Sequence, residues 1–325
     1  MAEVELLIPQ DGPRDVALQA LAPAIITREG PRATKRFLEF FAATIRNRHT
    51  REAYMRAVGR FLSWCEGRGL DLHAIEPLAV AAYIERHPGS PQTVHQHLTA
   101  IRRLFDWLVE GKILQENPAN PVRGPRYSVK KGKTPVLTRE EARKLLEGID
   151  TSHVVGLRDR ALIGVMIYSF ARVSAVAGMK VEDYYQQGRR SWLRLHEKRG
   201  KYHEVPVHHK AEEYLDAYIE AAEIAQEGKG PIFRTTRGRS RSLTDKRIHR
   251  TEVYLMIKRR AREAGLSEKI GCHTCRATGI TAYLENGGTI DKAQAIAAHE
   301  SPRTTKLYDR TSDVISLDEI ERIMI

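Results

Sequence analysis

Two histidines, an arginine and a tyrosine fall in one order in the last quarter of the chain. Cys272-His273-Thr274-Cys275-Arg276 opens a helical run to Asn286-Gly287-Gly288, and Ala298-His299-Glu300 and Thr304-Thr305-Lys306-Leu307-Tyr308 follow. His273 and Arg276 are three apart, so on a helix they share one face. Gly287-Gly288 can end that helix, because glycine takes the left-handed cap conformation. His299 and Tyr308 then fall in a second, short element. A guanidinium fork matches a pair of phosphate oxygens, and a phenol is a nucleophile once a neighbour accepts its proton. Such side chains, brought together, could do chemistry at a phosphate.

The elements that must position them begin near residue 135. Thr138-Arg139-Glu140-Glu141 is a capping box opening a helix. Arg158 to Ala171 reads as a strongly apolar helix, followed at once by Arg172-Val173-Ser174. An arginine there is either a C-terminal cap aided by the helix dipole or a site residue on a rigid support. Trp192 to His196 and Val205-Pro206-Val207 flank Lys198-Arg199-Gly200-Lys201, a β-hairpin with a lysine at its tip. A helix is expected over Lys210–Ala225, a short buried run at Ile232-Phe233, and a basic Gly/Ser/Thr-rich loop with Arg234, Arg237, Arg239 and Arg241. A further basic helix is expected from Thr244 to Ala264. Ile315, Leu317, Ile320, Ile323 and Met324 make a short amphipathic tail.

Earlier in the chain, residues 1–30 show no sustained period and read as a loosely ordered arm. From Pro31 a helical period starts, with Phe37, Leu38, Phe41 and Ile45 on one face. Thr50 can cap the next helix, where Tyr54, Val58, Phe61, Leu62 and Cys65 make the apolar stripe. A short helix from Pro77 and another opened by Ser90-Pro91 complete a four-helix bundle over residues 31–116. Arg51, Arg56 and Arg60 on one helix, and Arg102 and Arg103 with His95 on another, make two basic faces that could meet phosphates. Residues 117–134 read as a linker broken by Asn117-Pro118, Asn120-Pro121 and Gly124-Pro125, made basic by Arg123, Arg126, Lys130, Lys131 and Lys133. Residues 135–325 form the second domain, with a tail over 309–325.

Composition narrows the classes. The 325 residues carry a net charge of +12 and 42% hydrophobic residues, which favours two cored domains and an anionic partner. No apolar run has the length of a membrane span and the first residues lack the core of a signal peptide, so a soluble cytoplasmic protein without a membrane partner is expected. Three cysteines, Cys65, Cys272 and Cys275, are too few for a disulfide framework. Cys272-x-x-Cys275 lacks the second ligand pair of a structural zinc site and reads as two small thiols beside a functional histidine. No phosphate-binding GxxxxGK[ST] loop and no acidic cluster for paired metals occurs, so no cofactor is expected.

Taken singly, Tyr308 would be a core tyrosine, Arg172 a cap and Lys198 a turn charge. As an ordered set the pattern is different: Arg172-Val173-Ser174, Lys198 on a hairpin ending in Val-Pro, His273-x-x-Arg276, His299, then Tyr308 nine residues later. This resembles the tyrosine recombinase (phage integrase) family over nearly the whole chain. The fold the resemblance implies is mainly α with a small β-sheet: an N-terminal four-helix, SAM-like core-binding bundle and an α+β catalytic domain. It implies that Arg172 and Arg276 clamp the scissile phosphate, His273 and His299 sit beside it, Lys198 is the general acid, and Tyr308 is the nucleophile, with Lys201 a weaker candidate for the lysine. It further implies a site-specific recombinase working on double-stranded DNA through a 3′-phosphotyrosyl link without ATP or metal. Such an enzyme acts as a tetramer on paired sites in the nucleoid, with or without accessory DNA-binding proteins. The competing readings are relaxation of DNA by the same chemistry, as in type IB topoisomerases, and an architectural DNA-binding protein with an idle site. Three departures stand out: Ala175 where the family is usually acidic, Cys275 where it usually has Leu, and Ala277 where it often has His or Arg. The first leaves open what orients Arg172 or His273.

Overall fold

The computed structural model describes residues 22–126, 132–197, 202–238, 240–310 and 320–321. They form two compact units, divided between Ser128 and Val129.

The first unit is all-helical. α1 (Ala24–Thr27), α2 (Pro31–Glu39), α3 (Arg48–Glu66), α4 (Pro77–Glu85) and α5 (Pro91–Glu110) pack around Phe61, Leu62, Leu104, Phe105 and Leu108, none more than 1% exposed. A π-helical turn, Phe40–Thr44, continues α2 and turns Phe40 and Phe41 into the same core. α3 is capped by Asn47, whose side chain accepts from the Thr50 N–H at 3.1 Å, so the cap lies three residues before the Thr50 expected from sequence. Ser90 and Pro91 open α5 as expected.

Two boundaries differ from the sequence reading. The end of the supposed arm is helical: Ile25 and Ile26 are buried, and the Ile25 N–H donates to Glu66 Oε1 at 2.7 Å. A four-residue helix is too short to leave a periodic trace in sequence. The start of the supposed linker is also packed. Ala119 and Val122 belong to the helical core, and Asn117 Nδ2 donates to the Arg102 carbonyl at 2.9 Å and to Asp106 Oδ1 at 2.7 Å. Prolines stop helices without preventing burial.

The second unit is built on α7 (Val154–Tyr168), which follows α6 (Arg139–Glu147) with its Thr138–Glu141 capping box. α7 is buried on nearly every side, even at Asp159, which is fully buried. That carboxylate takes Arg158 Nε at 3.0 Å, Arg260 Nη2 at 2.7 Å and Arg259 Nη2 at 3.2 Å, so its charge is compensated inside the core. Past α7 the chain turns left-handed at Phe170 (φ 55°) and starts α8 (Val173–Gly178).

An antiparallel sheet of β1 (Tyr184–Gln187), β2 (Arg190–His196) and β3 (Tyr202–Pro206) follows. Leu193 pairs with Val205 and Leu195 with His203, placing Leu193, Leu195 and Val205 in the core. The pairing of β2 with β3 is the one expected, whereas β1 was not foreseen, because its Tyr-Tyr-Gln-Gln lacks an apolar alternation. Then come α9 (His209–Ala221), a two-stranded ribbon of β4 (Arg234–Thr236) and β5 (Leu243–Arg247), and α10 (Arg250–Glu263). The helix expected from Thr244 therefore starts at Arg250; Thr244 lies in β5. Its Thr-Asp-Lys-Arg run has no apolar residue to distinguish strand from helix.

α11 (Cys272–Glu285), α12 (Ile290–Ile296) and α13 (Pro302–Lys306) complete the unit. α11 crosses α7 closely at Gly279, where a Cβ would sit 1.9 Å from the Ile167 carbonyl oxygen. Gly287 (φ 83°) lies just past its end, as its sequence position predicts. Ile315, Leu317, Ile323 and Met324 of the expected tail lie outside the described residues. Among those residues no helix is long and apolar enough to cross a membrane.

Candidate active site

α11 delivers two side chains. Arg276, 2% exposed, donates through Nη1 to the Phe170 carbonyl and through Nη2 to the Ala297 carbonyl at 2.6 Å. Phe170 is itself left-handed (φ 55°), and Ala297, right-handed at φ −79°, directly precedes left-handed Ala298 (φ 46°). Left-handed backbone costs about 1–2 kcal/mol per residue, and here it lies at one carbonyl that holds Arg276 and directly after the other. Burial, then the charge of Arg172, pushes the Arg276 pKa down to about 10, while Tyr308 and Glu197 act the other way. His273, on the first turn of α11, is exposed, yet loss of solvent around the ring, then Arg276 and Arg172, lower its pKa. A neutral imidazole at neutral pH can take a proton.

Arg172 is not the C-terminal cap of α7. It stands at the N-cap of α8, where the helix dipole disfavours a cation, and its Nη1 donates to Glu197 Oε2. The reading of Arg172 as a C-terminal cap therefore does not hold. Glu197, directly after β2, has a side chain 5% exposed, against 34% for Arg172.

His299 is 7% exposed, and its Nδ1 lies 2.9 Å from Thr305 Oγ1. Burial first, with Arg276 and Arg172, pushes its pKa down to about 3, so the ring is neutral near pH 7. The Tyr308 ring lies parallel to it, 5.8 Å between centroids and 7° between planes. Both follow short helices rather than sharing one element, as had been expected: His299 comes after α12 and Tyr308 after α13. The backbone around Tyr308 is held on both sides. Thr281 Oγ1 donates to its carbonyl at 2.8 Å, Gly132 N to the Leu307 carbonyl at 2.9 Å, and Arg310 Nη2 to the Gly132 carbonyl at 2.7 Å. Gly132 has no room for a side chain, since a Cβ there would be 2.6 Å from the Leu307 oxygen.

Arg172, His273, Arg276, His299 and Tyr308 therefore form one neighbourhood within one chain. Lys198 and Lys201 lie outside the described residues. Cys275 is buried and Cys272 half-buried, and burial pushes both thiols up, to about 12 and about 11. Glu197 and Thr305 were missed in the sequence. The available signals were an acid immediately before Lys198 in a basic turn, and a hydroxyl one helical turn before Tyr308.

The basic residues expected on DNA divide differently. Arg56, Arg60, Arg103 and Arg237 are exposed. Arg51 instead donates through Nε and Nη2 to the Ile45 carbonyl at 3.1 and 2.9 Å, and Arg102 donates to the Ala119 carbonyl at 3.0 Å and to that of Val122. These two are staples of the helical unit, a use that helical spacing does not reveal. Arg234 is likewise buried, on Glu227. Lys130, Lys131 and Arg239 lie outside the described residues.

The sequence pattern of the phage integrase family matches residues 135–314, more than half of the chain. The chain belongs to the phage integrase family. The family's N-terminal SAM-like domain matches residues 35–112 of the same integrase-family chain. Tyrosine recombinase XerC of Thermodesulfovibrio yellowstonii is 27% identical to it over 269 residues, 80% of this chain and 85% of the relative. Tyrosine recombinase XerC of Chlamydia muridarum is 31% identical over 225 residues, 69% of this chain and 68% of the relative. In fold, this integrase-family chain is similar to the XerH site-specific recombinase bound to a palindromic difH substrate, with a TM-score of 0.66, 16% identity and 97% of each chain covered. It is also similar to a lambda integrase dimer bound to a COC′ core site, with a TM-score of 0.65, 18% identity, and 87% of this chain and 97% of that one covered. The expected fold class, a helical SAM-like domain and a mainly helical catalytic domain with small antiparallel sheets, holds. The expectation of a site-specific recombinase that breaks and rejoins strands holds with it, and neither rival reading is favoured.

Proposed function

We propose that Tyr308 is the nucleophile of a site-specific DNA recombinase and that Arg172, Arg276, His273 and His299 surround the scissile phosphate. The observation that carries this reading is the Tyr308 ring lying against His299 beside two arginines of its own chain, Arg276 among the most buried cations of the unit. The Tyr308 Oη–phosphorus bond forms as the phosphorus–O5′ bond breaks, giving a 3′-phosphotyrosyl link and a 5′-hydroxyl. The phenol proton passes to His273, whose lowered pKa keeps it ready as a base. The leaving O5′ takes a proton from Lys198. Arg276 spends two N–H donors on carbonyls and sets another against Tyr308, and with Arg172 its remaining donors stabilise charge growing on the non-bridging oxygens. His299, its Nδ1 on Thr305, offers Nε2 as a neutral hydrogen-bond partner. A free 5′-hydroxyl from a second strand reverses the step and rejoins the ends.

The partner is double-stranded DNA, held by exposed Arg56, Arg60, Arg103 and Arg237 and by the basic Lys130-Lys131 and Arg239 segments. The domains run from the helical unit, through about residue 126, to the catalytic unit from about residue 132. Exchange between two duplexes calls for four copies on paired sites, and the 315–324 stripe would dock on a neighbour. In support, one of the solved structures similar in fold is described as a lambda integrase tetramer bound to a Holliday junction. Accessory DNA-binding proteins and a place in the nucleoid are compatible with this reading.

The test uses the full-length protein and a nicked duplex carrying the sequence that the protein itself selects from a random pool. A covalent protein–DNA adduct is expected, and none with Tyr308→Phe. An adduct that survives that change removes Tyr308 from the role.

A further inference from the structure

The site gathers positive charge before any DNA is present. Arg172 and Arg276 are close enough for Arg172 to depress the pKa of Arg276. Like charges separate unless something holds them. The helix that begins at Arg172 offers no acid one turn on: Ala175 is 2% exposed and ends in a methyl group. A carboxylate arrives instead from the sheet, where Glu197 Oε2 accepts from Arg172 Nη1. This is not a surface ion pair, whose two long side chains would be free to drift. The Glu197 side chain is 5% exposed, and its Oε1 is buried with no hydrogen-bond partner among the described residues. Burying a half-satisfied carboxylate is costly, and the fold keeps it against one of the arginines of the site.

We infer that Glu197 is a positioning residue for the cleavage reaction: it fixes the Arg172 guanidinium from the hairpin side, supplying the carboxylate that the Arg172-x-x-Ala175 helix does not. The inference rests on the reading of Arg172 and Tyr308 given above. One N–H of Arg172 goes to Glu197, and among the described residues its other donors are left for phosphate oxygens. The pair also ties the end of β2 to the start of α8, joining the strand that leads into Lys198 to the helix that carries Arg172.

The same nicked duplex and full-length protein test it. Glu197→Gln keeps the shape and removes the charge. Adduct formation at saturating DNA is expected to slow about 10- to 100-fold, the usual loss when the partner that orients a site residue is removed, with half-saturation by DNA and the thermal midpoint nearly unchanged. Glu197→Asp should recover part of the rate. In an Arg172→Ala background Glu197→Gln should cost nothing more, because the group it positions is gone. An unchanged rate overturns the inference, as does a faster one, which would make Glu197 a restraint on Arg172. So do equal losses in both backgrounds, or a loss confined to half-saturation or the thermal midpoint, which mark a merely structural residue. No adduct from the parent protein overturns the Tyr308 reading and this inference with it; an adduct from the parent with Glu197→Gln indistinguishable overturns this inference alone.

Discussion

The imidazole of His299 lies parallel to the phenol ring of Tyr308, and the same imidazole is held through Nδ1 by Thr305, three residues before that tyrosine. One short turn thus carries both the proposed nucleophile and the group that orients its neighbour. Thr305 is fully buried, so its hydroxyl has no water to turn to. Thr305→Val should leave the ring free to rotate and choose its tautomer. Adduct formation should slow about tenfold, within the range for a removed orienting partner, with DNA affinity unchanged in a filter-binding titration.

His299 also makes folding depend on pH. Its pKa falls from 6.5 in the unfolded chain to about 3 in the folded one. The unfolded state therefore binds more protons between those values, so this contribution is complete above 6.5 and is lost as pH falls toward 3. Urea midpoints measured down that range should drop for the parent protein. His299→Asn should flatten the drop, having no proton to take up.

The pH profile of cleavage should have an acid limb set by His273. Because its pKa lies below 6.5, the base form dominates at neutral pH, and the rate should fall only as the ring protonates in more acidic solution. Single-turnover rates against pH should show this limb in the parent protein and lose it in His273→Ala, whose rate should be lower throughout.

Ala298 tests whether backbone strain serves the site. Its φ of 46° suits glycine. Ala298→Gly should relieve strain of about 1–2 kcal/mol and give back about 0.5–1 kcal/mol in unfolded-state entropy. The thermal midpoint should rise slightly, while cleavage slows because the Ala297 carbonyl no longer holds Arg276 as firmly.

The buried Asp159 carries a different load. Asp159→Ala would leave buried Arg158 without its carboxylate and buried Arg260 with Glu263 alone. A loss of about 3–5 kcal/mol is expected for breaking a buried pair this way, read as a lower urea midpoint.

His273, Arg276, His299 and Tyr308 could be picked from the chain because their order and spacing do not depend on how the chain is folded around them. The α3 and α5 stripes and the β2–β3 hairpin were equally plain, since local periodicity writes them into the sequence. Glu197 was not, although it adjoins Lys198: its partner Arg172 is 25 positions away, on another element. Arg51 and Arg102 looked like phosphate ligands until the fold gave their guanidinium groups carbonyls to bind. Ile25 and Val122 looked like arm and linker until a core formed beneath them. By itself the sequence determined which chemical groups are present, which helices and strands can carry them, and that the chain bears the pattern of a strand-exchange enzyme. Only the tertiary structure decided which charges are spent on the protein and which are left over, because burial and pairing between distant residues exist only once the chain has closed on itself.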